Sequence, residues 1–350
     1  MTVFACAGCG ATLSVPMSRV PLPVHVDQRY GHGLLGVLME PRTYAVNPDP
    51  FGPPWRPWAE VGAAEAEACG VYAPVGALSG GSRGAAVLAP GDVRGTVFIP
   101  ARSGGLCCGL DGRDGPNLAC AQCGRPVATR IDDCSLWQAV WFDPAAVRRV
   151  AGAAVRPQTV DWEALRRDRP GVPPVEPPGQ WHPLWEAAVG AALARLLAVS
   201  AGTRVAVPDG LVADTFGRAL DALLPPGPPV KTLALAGPGL PTVSTSIALV
   251  PQHPQTGEHW APPVTADAVP LPWDVWAQLA FRHDRRSVPG AGTMPADARR
   301  DDPSPLTPFG LFRPDVAVFL STLARLREVR QPWLRAIYDR VTGHPYAGPF

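Results

Sequence analysis

Leu106–Trp141, LCCGLDGRDGPNLACAQCGRPVATRIDDCSLWQAVW, holds five of the eight cysteines of this 350-residue chain. Within it, Cys120-Ala-Gln-Cys123-Gly repeats almost letter for letter a run near the start of the chain, Cys6-Ala-Gly-Cys9-Gly. Two CxxC turns together are the donor set of a tetrahedral zinc site, because each supplies two soft ligands with backbone N–H groups facing the thiolates. The glycine after each second cysteine permits the positive φ that such a turn needs. Since most of a domain's length of chain separates Cys9 from Cys120, one ion would clamp the start of a domain to its end. The expectation is a structural Zn2+ held by Cys6, Cys9, Cys120 and Cys123, with no coordination position left open for chemistry.

Outward from these turns, residues 1–150 read as mostly β. Thr2–Val15 is a strand, a metal-binding turn and a second strand. Pro16–Pro57 is rich in loops, with a buried piece at Gly33–Met39, and Ala59–Cys69 is helical by its Ala and Glu content. Val93–Ala101 suits a strand, Arg125–Phe142 one or two more, and Asp143-Pro-Ala-Ala-Val opens a short helix with Asp as its cap. Residues 151–180 read as a proline-rich linker, DRPGVPPVEPPG, preceded by a short helix at Asp161-Trp-Glu-Ala-Leu. Beyond 181 the period changes: helix His182–Val199, strand Thr203–Val207, helix Leu211–Leu224, strands Val230–Ala236 and Ser246–Val250, then helices Trp273–Arg282, Pro314–Arg327 and Pro332–Val341. A polar, mobile stretch is expected over Val288–Pro308. The fold class is therefore α+β: a zinc-stabilised β-rich N-terminal domain, residues 1–150, with a smaller C-terminal α/β domain, residues 181–350.

The pairing of FACAGCGATLS with LACAQCGRPVA across a long β insertion resembles the β-tent or Mss4-like zinc fold, which includes methionine sulfoxide reductase B, Yippee-like and cereblon-type domains. A zinc ribbon carries the same two turns. The resemblance covers residues 1–145 and implies a fold and a structural metal. The catalytic cysteine segment of the reductases and the glycine-tryptophan signature of Yippee-like domains are both missing from this sequence.

Composition narrows the function further. Lys+Arg number 31 against 30 Asp+Glu, a net charge of +1, so no global field draws in nucleic acid or an anionic membrane. Only Lys231 is a lysine. Pro and Gly number 44 and 36, which predicts short elements and long ordered loops. The longest apolar segment, Leu184–Ala201, contains Glu186 and Arg195 and reads as a core helix rather than a membrane span. No charged-then-apolar leader opens the sequence, and paired CxxC turns favour metal over disulfides in a reducing compartment, so a cytoplasmic location is expected.

Other clusters have competing readings. Cys107, Cys108 and Cys134 are packing thiols, a second metal site or a redox set, and a rival local site would combine Cys108, Cys120, Cys123 and Cys134. Asp111, Asp114, Asp132 and Asp133 read as turn-forming surface residues beside Arg130. His253, Glu258 and His259 lie close together in sequence without a ligand-pair spacing. Arg325, Arg327, Arg330, Arg335 and Arg340 alternate with Trp333 and Tyr338, which nucleic acid would use, but acidic neighbours offset them. The favoured reading is a non-catalytic zinc-stabilised binding or scaffold protein with a protein partner or a second copy of itself in a homo-oligomer. A thiol or redox enzyme using Cys134 or Cys107/Cys108, and a nucleic-acid-binding protein using the C-terminal arginines, are the alternatives.

Overall fold

The β-branched and aromatic runs of residues 1–150 form strands, seven of them in one sheet that is buried on both faces. The computed structural model describes residues 1–29, 35–105, 107–152, 157–176, 179–262, 265–282 and 310–343. Helices and strands are mixed, and the chain divides into two compact units: Met1–Thr159 with Gln255–Gly257, and Val160–Pro254 with Glu258–Phe350.

In the first unit the elements are, in order, β1 (Thr2–Cys6), β2 (Ser18–Arg19), β3 (Thr43–Val46), β4 (Pro50–Phe51), β5 (Trp55–Pro57), α1 (Trp58–Val61), α2 (Ala63–Ala68) and β6 (Ala77–Ser79). There follow β7 (Ser82–Arg83), β8 (Ala86–Leu88), β9 (Thr96–Phe98), β10 (Leu118–Cys120), β11 (Pro126–Ile131), β12 (Ala139–Phe142) and β13 (Val147–Ala151). Seven of them make one sheet in the order β2-β3-β8-β12-β11-β10-β9, and β1 pairs with β13 in a separate antiparallel ribbon.

Period-two alternation gives this sheet two buried faces. Tyr44, Ala86, Leu88, Val140 and Phe142 point into a core shared with Phe4, Leu13 and Met17. Their chain neighbours Ala45, Val87 and Trp141 point into a second core with Leu38 and Met39. Phe4 meets Tyr44 edge-on at 5.1 Å, and Phe51 stacks on Trp141 at 4.1 Å. Each large side chain fully buried here, such as Phe4, Phe142 or Leu88, contributes roughly 1.5–3 kcal/mol.

Local expectations fail where a longer-range partner decides. Asp143-Pro-Ala-Ala-Val is a single turn, not a helix: the Asp143 carboxylate accepts from Ala145 N at 2.9 Å, and Val147 then enters β13 opposite Cys6. The arm leaving the first cysteine turn forms isolated bridges, Ala5 with Thr12 and Ser14 with Val93, instead of a strand. The helix expected over Ala59–Cys69 breaks into α1 and α2 at Gly62, whose φ is +75°.

The second unit contains α3 (Trp162–Asp168), β14 (Val175–Glu176), β15 (Gln180–Trp181), α4 (Pro183–Ser200), β16 (Val205–Ala206), α5 (Arg218–Leu223), β17 (Lys231–Leu235), β18 (Ile247–Gln252), β19 (Asp267–Pro272), α6 (Trp273–Phe281), α7 (Val316–Ala324) and α8 (Pro332–Gly343). Strands β16 to β19 lie in sequence order and run parallel. Strand β19 carries no clear signal in the sequence, because Pro270 and Pro272 mask it; it is an edge strand, where a missing N–H is tolerated. The expected mobile stretch Val288–Pro308 lies outside the described residues.

The stretch read as a linker is folded into this unit from Val160 onward. Asp161 caps α3 through Ala164 N, Arg169 pairs with both carboxylate oxygens of Asp274 at 2.6 and 2.7 Å, and Trp185 donates to Val172 O. The second unit thus takes in more of the chain than the first, a correction to the smaller domain expected at 181–350. The 18-residue α4 is apolar and long enough to cross a membrane by length and composition, and 67% of it is buried inside the protein. It is the core helix the sequence predicts. At Gly190 it comes so close to the start of α7 that a Cβ would lie 2.6 Å from Asp315 O.

Candidate metal centre

Strands β1 and β10 each end on the first cysteine of a CxxC turn, so the sheet and the ribbon carry Cys6 and Cys120 into the same core. The two turns then repeat one another bond for bond. Cys6 N donates to Ala11 O at 2.8 Å and Gly10 N to Cys6 O at 2.9 Å; Cys120 N donates to Arg125 O at 2.8 Å and Gly124 N to Cys120 O at 2.8 Å. Gly10 and Gly124 have φ of +79° and +73°, the left-handed conformation anticipated from sequence.

The four sulfurs of Cys6, Cys9, Cys120 and Cys123 all lie within 4.8 Å of one another. Two contacts cross between the turns at 3.6 Å: Cys6 with Cys123, and Cys9 with Cys120. Four sulfurs bonded at about 2.3 Å to a tetrahedral ion stand about 3.8 Å apart, so this group fits a metal ion. Cys6 and Cys120 are buried, Cys9 is half-buried and Cys123 is exposed, which puts the group at the margin of the core.

The thiols cannot all ionise together without a cation. Burial acts to raise the Cys6 pKa, yet hydrogen bonds from the Cys9 and Gly8 amides and contacts with Cys123 and Cys9 bring it down to about 7. The Ala11 amide lowers that of Cys9, but burial and the neighbouring thiols Cys123, Cys120 and Cys6 outweigh it and push it up to about 12. One thiolate is stabilised at the expense of its neighbour, and a divalent cation in their midst removes that conflict.

A second thiol group gathers Cys107, Cys108 and Cys134, also within 4.8 Å of one another, with Cys134 Sγ 3.4 Å from Cys107 Sγ. The rival four-cysteine site is not formed, because Cys120 and Cys123 group with Cys6 and Cys9 while Cys108 and Cys134 group with Cys107. Neighbouring thiols Cys108 and Cys107, together with burial, push Cys134 up to about 12.

No family model, curated protein or solved structure matches this chain.

Of the remaining candidates, Asp133 departs furthest from expectation. It is buried, not a solvated turn former, and its carboxylate accepts from the amides of Ser135, Cys108 and Gly109 and from the Ser135 hydroxyl. Burial would raise its pKa; those donors more than offset this and hold it below the usual carboxylate range. Its sequence signal, an Asp directly before a cysteine and two before a serine, reads only as an Asx turn. Asp132 pairs with Arg130 at 2.7 Å, and Arg113 with Asp111 at 2.7 Å. His253 is buried in the second unit, where its Nε2 lies 3.0 Å from Val160 O and its ring meets Trp162, so it packs rather than joining His259 and Glu258 in a site. Among the C-terminal arginines, Arg335 pairs with Asp339 within α8, and Arg325, the residue after α7, donates to Ser321.

Proposed function

We propose that the four thiolates of Cys6, Cys9, Cys120 and Cys123 bind a structural zinc ion, and that the first unit is a zinc-stapled binding module without catalytic chemistry at that metal. The observation that carries this reading is the closed donor set, four sulfurs at tetrahedral spacing from two matching turns. A zinc ion so enclosed has no position free for water or substrate. The β-tent or zinc-ribbon relationship belongs to the same proposal, supported by paired turns on either side of a long β insertion.

The role follows as scaffolding through protein contacts in a reducing compartment. Trp55, Val97 and Phe98 are large apolar side chains left about half exposed on the first unit, and a protein partner would cover them. A thiol or redox enzyme would instead use the 3.4 Å approach of Cys134 to Cys107. An activated nucleophile needs a depressed pKa, and Cys134 is shifted the opposite way. The pairing of Arg335 with Asp339 likewise weighs against nucleic acid.

Elemental analysis tests the reading. The Cys6→Ser/Cys9→Ser variant should carry one zinc ion per chain fewer than the wild type, and no cysteine of the wild type should alkylate faster than free cysteine at neutral pH. Equal zinc in both proteins, or one hyper-reactive thiol, would reject it.

A further inference from the structure

Outside the four-cysteine group, the first unit contains a second set of soft donors that its loops hold in place. Cys107 and Cys108 lie on a bend and Cys134 begins a turn, and the three sulfurs fall within 4.8 Å of one another. Neighbouring residues in a strand point to opposite faces; the bend lets the sulfurs of a vicinal pair converge.

The two loops are tied together by polar contacts of Asp133 and of the backbone. Asp133 Oδ2 accepts from Cys108 N and Gly109 N at 3.2 Å each, while Oδ1 accepts from Ser135 N at 3.1 Å and Ser135 Oγ at 2.9 Å. One buried carboxylate thus anchors both cysteine-bearing arms. Leu110 and Asp132 add a β-bridge with hydrogen bonds of 3.1 and 2.8 Å. The approach is close enough to require glycine: a Cβ on Gly109 would sit 1.9 Å from Asp132 O, and one on Gly105 1.5 Å from Gly109 O.

The electrostatics favour a cation. Asp133 places a carboxylate beside three potential thiolates, and the nearby cations Arg113 and Arg130 are paired with Asp111 and Asp132. Three converging sulfurs and a carboxylate committed to backbone amides make a soft, electronegative pocket, open to solvent at the exposed Cys107 and Cys108.

We propose that Cys107, Cys108 and Cys134 form a second metal site, a three-thiolate centre that takes Zn2+ and leaves its fourth coordination position open to an outside donor. On binding, each thiol releases its proton to solvent and forms a metal–sulfur bond. Asp133 is a positioning residue, with both its oxygens occupied by the loops. With three protein ligands this centre differs in kind from the closed four-cysteine group: water, a small thiol or a side chain of a partner can complete it. The proposal does not rest on the first site, because the two groups share no ligand.

The test is zinc content and cobalt spectroscopy on the full chain, purified under reductant. Wild type should hold two zinc ions per chain, and Cys107→Ser/Cys108→Ser and Cys6→Ser/Cys9→Ser one each. Loss confined to the second variant, with wild type holding one, would overturn this proposal and leave the structural zinc intact. The thiolate-to-cobalt band of wild type loaded with Co2+ should by itself correspond to seven Co–S bonds, a reading that needs no variant to fold; in the Cys107→Ser/Cys108→Ser protein it should fall to about four sevenths. Imidazole should shift the cobalt spectrum of wild type and leave that variant unchanged. A Cys107–Cys134 disulfide in the reduced preparation, or a cobalt spectrum indifferent to imidazole, would also overturn it.

Discussion

Stripping the metal from Cys6, Cys9, Cys120 and Cys123 should loosen the ribbon of β1 and β13 before anything else in the first unit. The clamp closes a long loop, from Cys9 in one turn to Cys120 in the other. If a metal cross-link restricts the unfolded chain as a covalent one does, a loop of that length is worth about 5 kcal/mol in chain entropy alone. A domain of ordinary stability has about 5–15 kcal/mol in total, so the proposed ion would account for a large part of it. At about 1.4 kcal/mol per decade, slow amide exchange in peptides spanning Thr2–Cys6 and Val147–Ala151 should accelerate by about 3.5 decades on chelation. Hydrogen exchange read by mass spectrometry resolves those peptides, and the Cys107→Ser/Cys108→Ser background confines chelation to one centre. Protection that stays within tenfold of the metal-loaded value would refute the clamp.

Gly124→Ala should cost about 1–2 kcal/mol in a urea titration from backbone strain alone, because Gly124 has a φ of +73° and no atom lies within 4 Å of an added Cβ; Gly124→Asn should recover part of it. Gly190→Ala should cost about 1–3 kcal/mol by pushing α4 away from α7, read as a lower thermal midpoint for the second unit. His182, whose Nδ1 accepts from Leu184 N at 3.1 Å and whose Nε2 faces Glu176 at 3.2 Å, has its pKa lowered below 6.5 by burial, with Glu176 and Asp274 acting the other way. The unfolded chain therefore takes up its proton first, so urea midpoints of the second unit should be highest above about pH 6.5 and decline as pH falls through the folded pKa. His182→Asn, which keeps a capping side chain, should flatten that decline.

What was legible in the sequence was local. A CxxCG turn is specified within one short stretch of chain, so both halves of the candidate centre, and the positive φ of Gly10 and Gly124, could be read before any fold was known. Element types were legible where periodicity and composition agreed, as in β11, β12, β18 and α4. Features decided by distant partners were not. Asp143–Val147 looked helical until β1 supplied a strand for Val147 to pair with. Pro270 and Pro272 hid β19, whose prolines are harmless only because it lies at the edge of its sheet. Asp133 looked like a surface residue because three of its four donors are backbone amides, and two of these, from Cys108 and Gly109, belong to an earlier loop. The boundary near Val160 was obscured because proline content says nothing of what Arg169 and Trp185 will meet.

Joining the first strand of the unit to its last also sets a timetable for synthesis. The Cys6/Cys9 turn leaves the ribosome with neither the Cys120/Cys123 turn nor β13 in existence. At about 5–20 residues per second it waits on the order of 5–20 s for its partner ligands. During that interval it is a bare dithiol in a nascent chain, able to hold an ion only by two bonds and to exchange it freely. In the proposed centre, metal capture at full affinity would therefore come late in synthesis, coincident with the emergence of residues 120–151. The rate of translation between the two turns governs how long the first one stays exposed to oxidation.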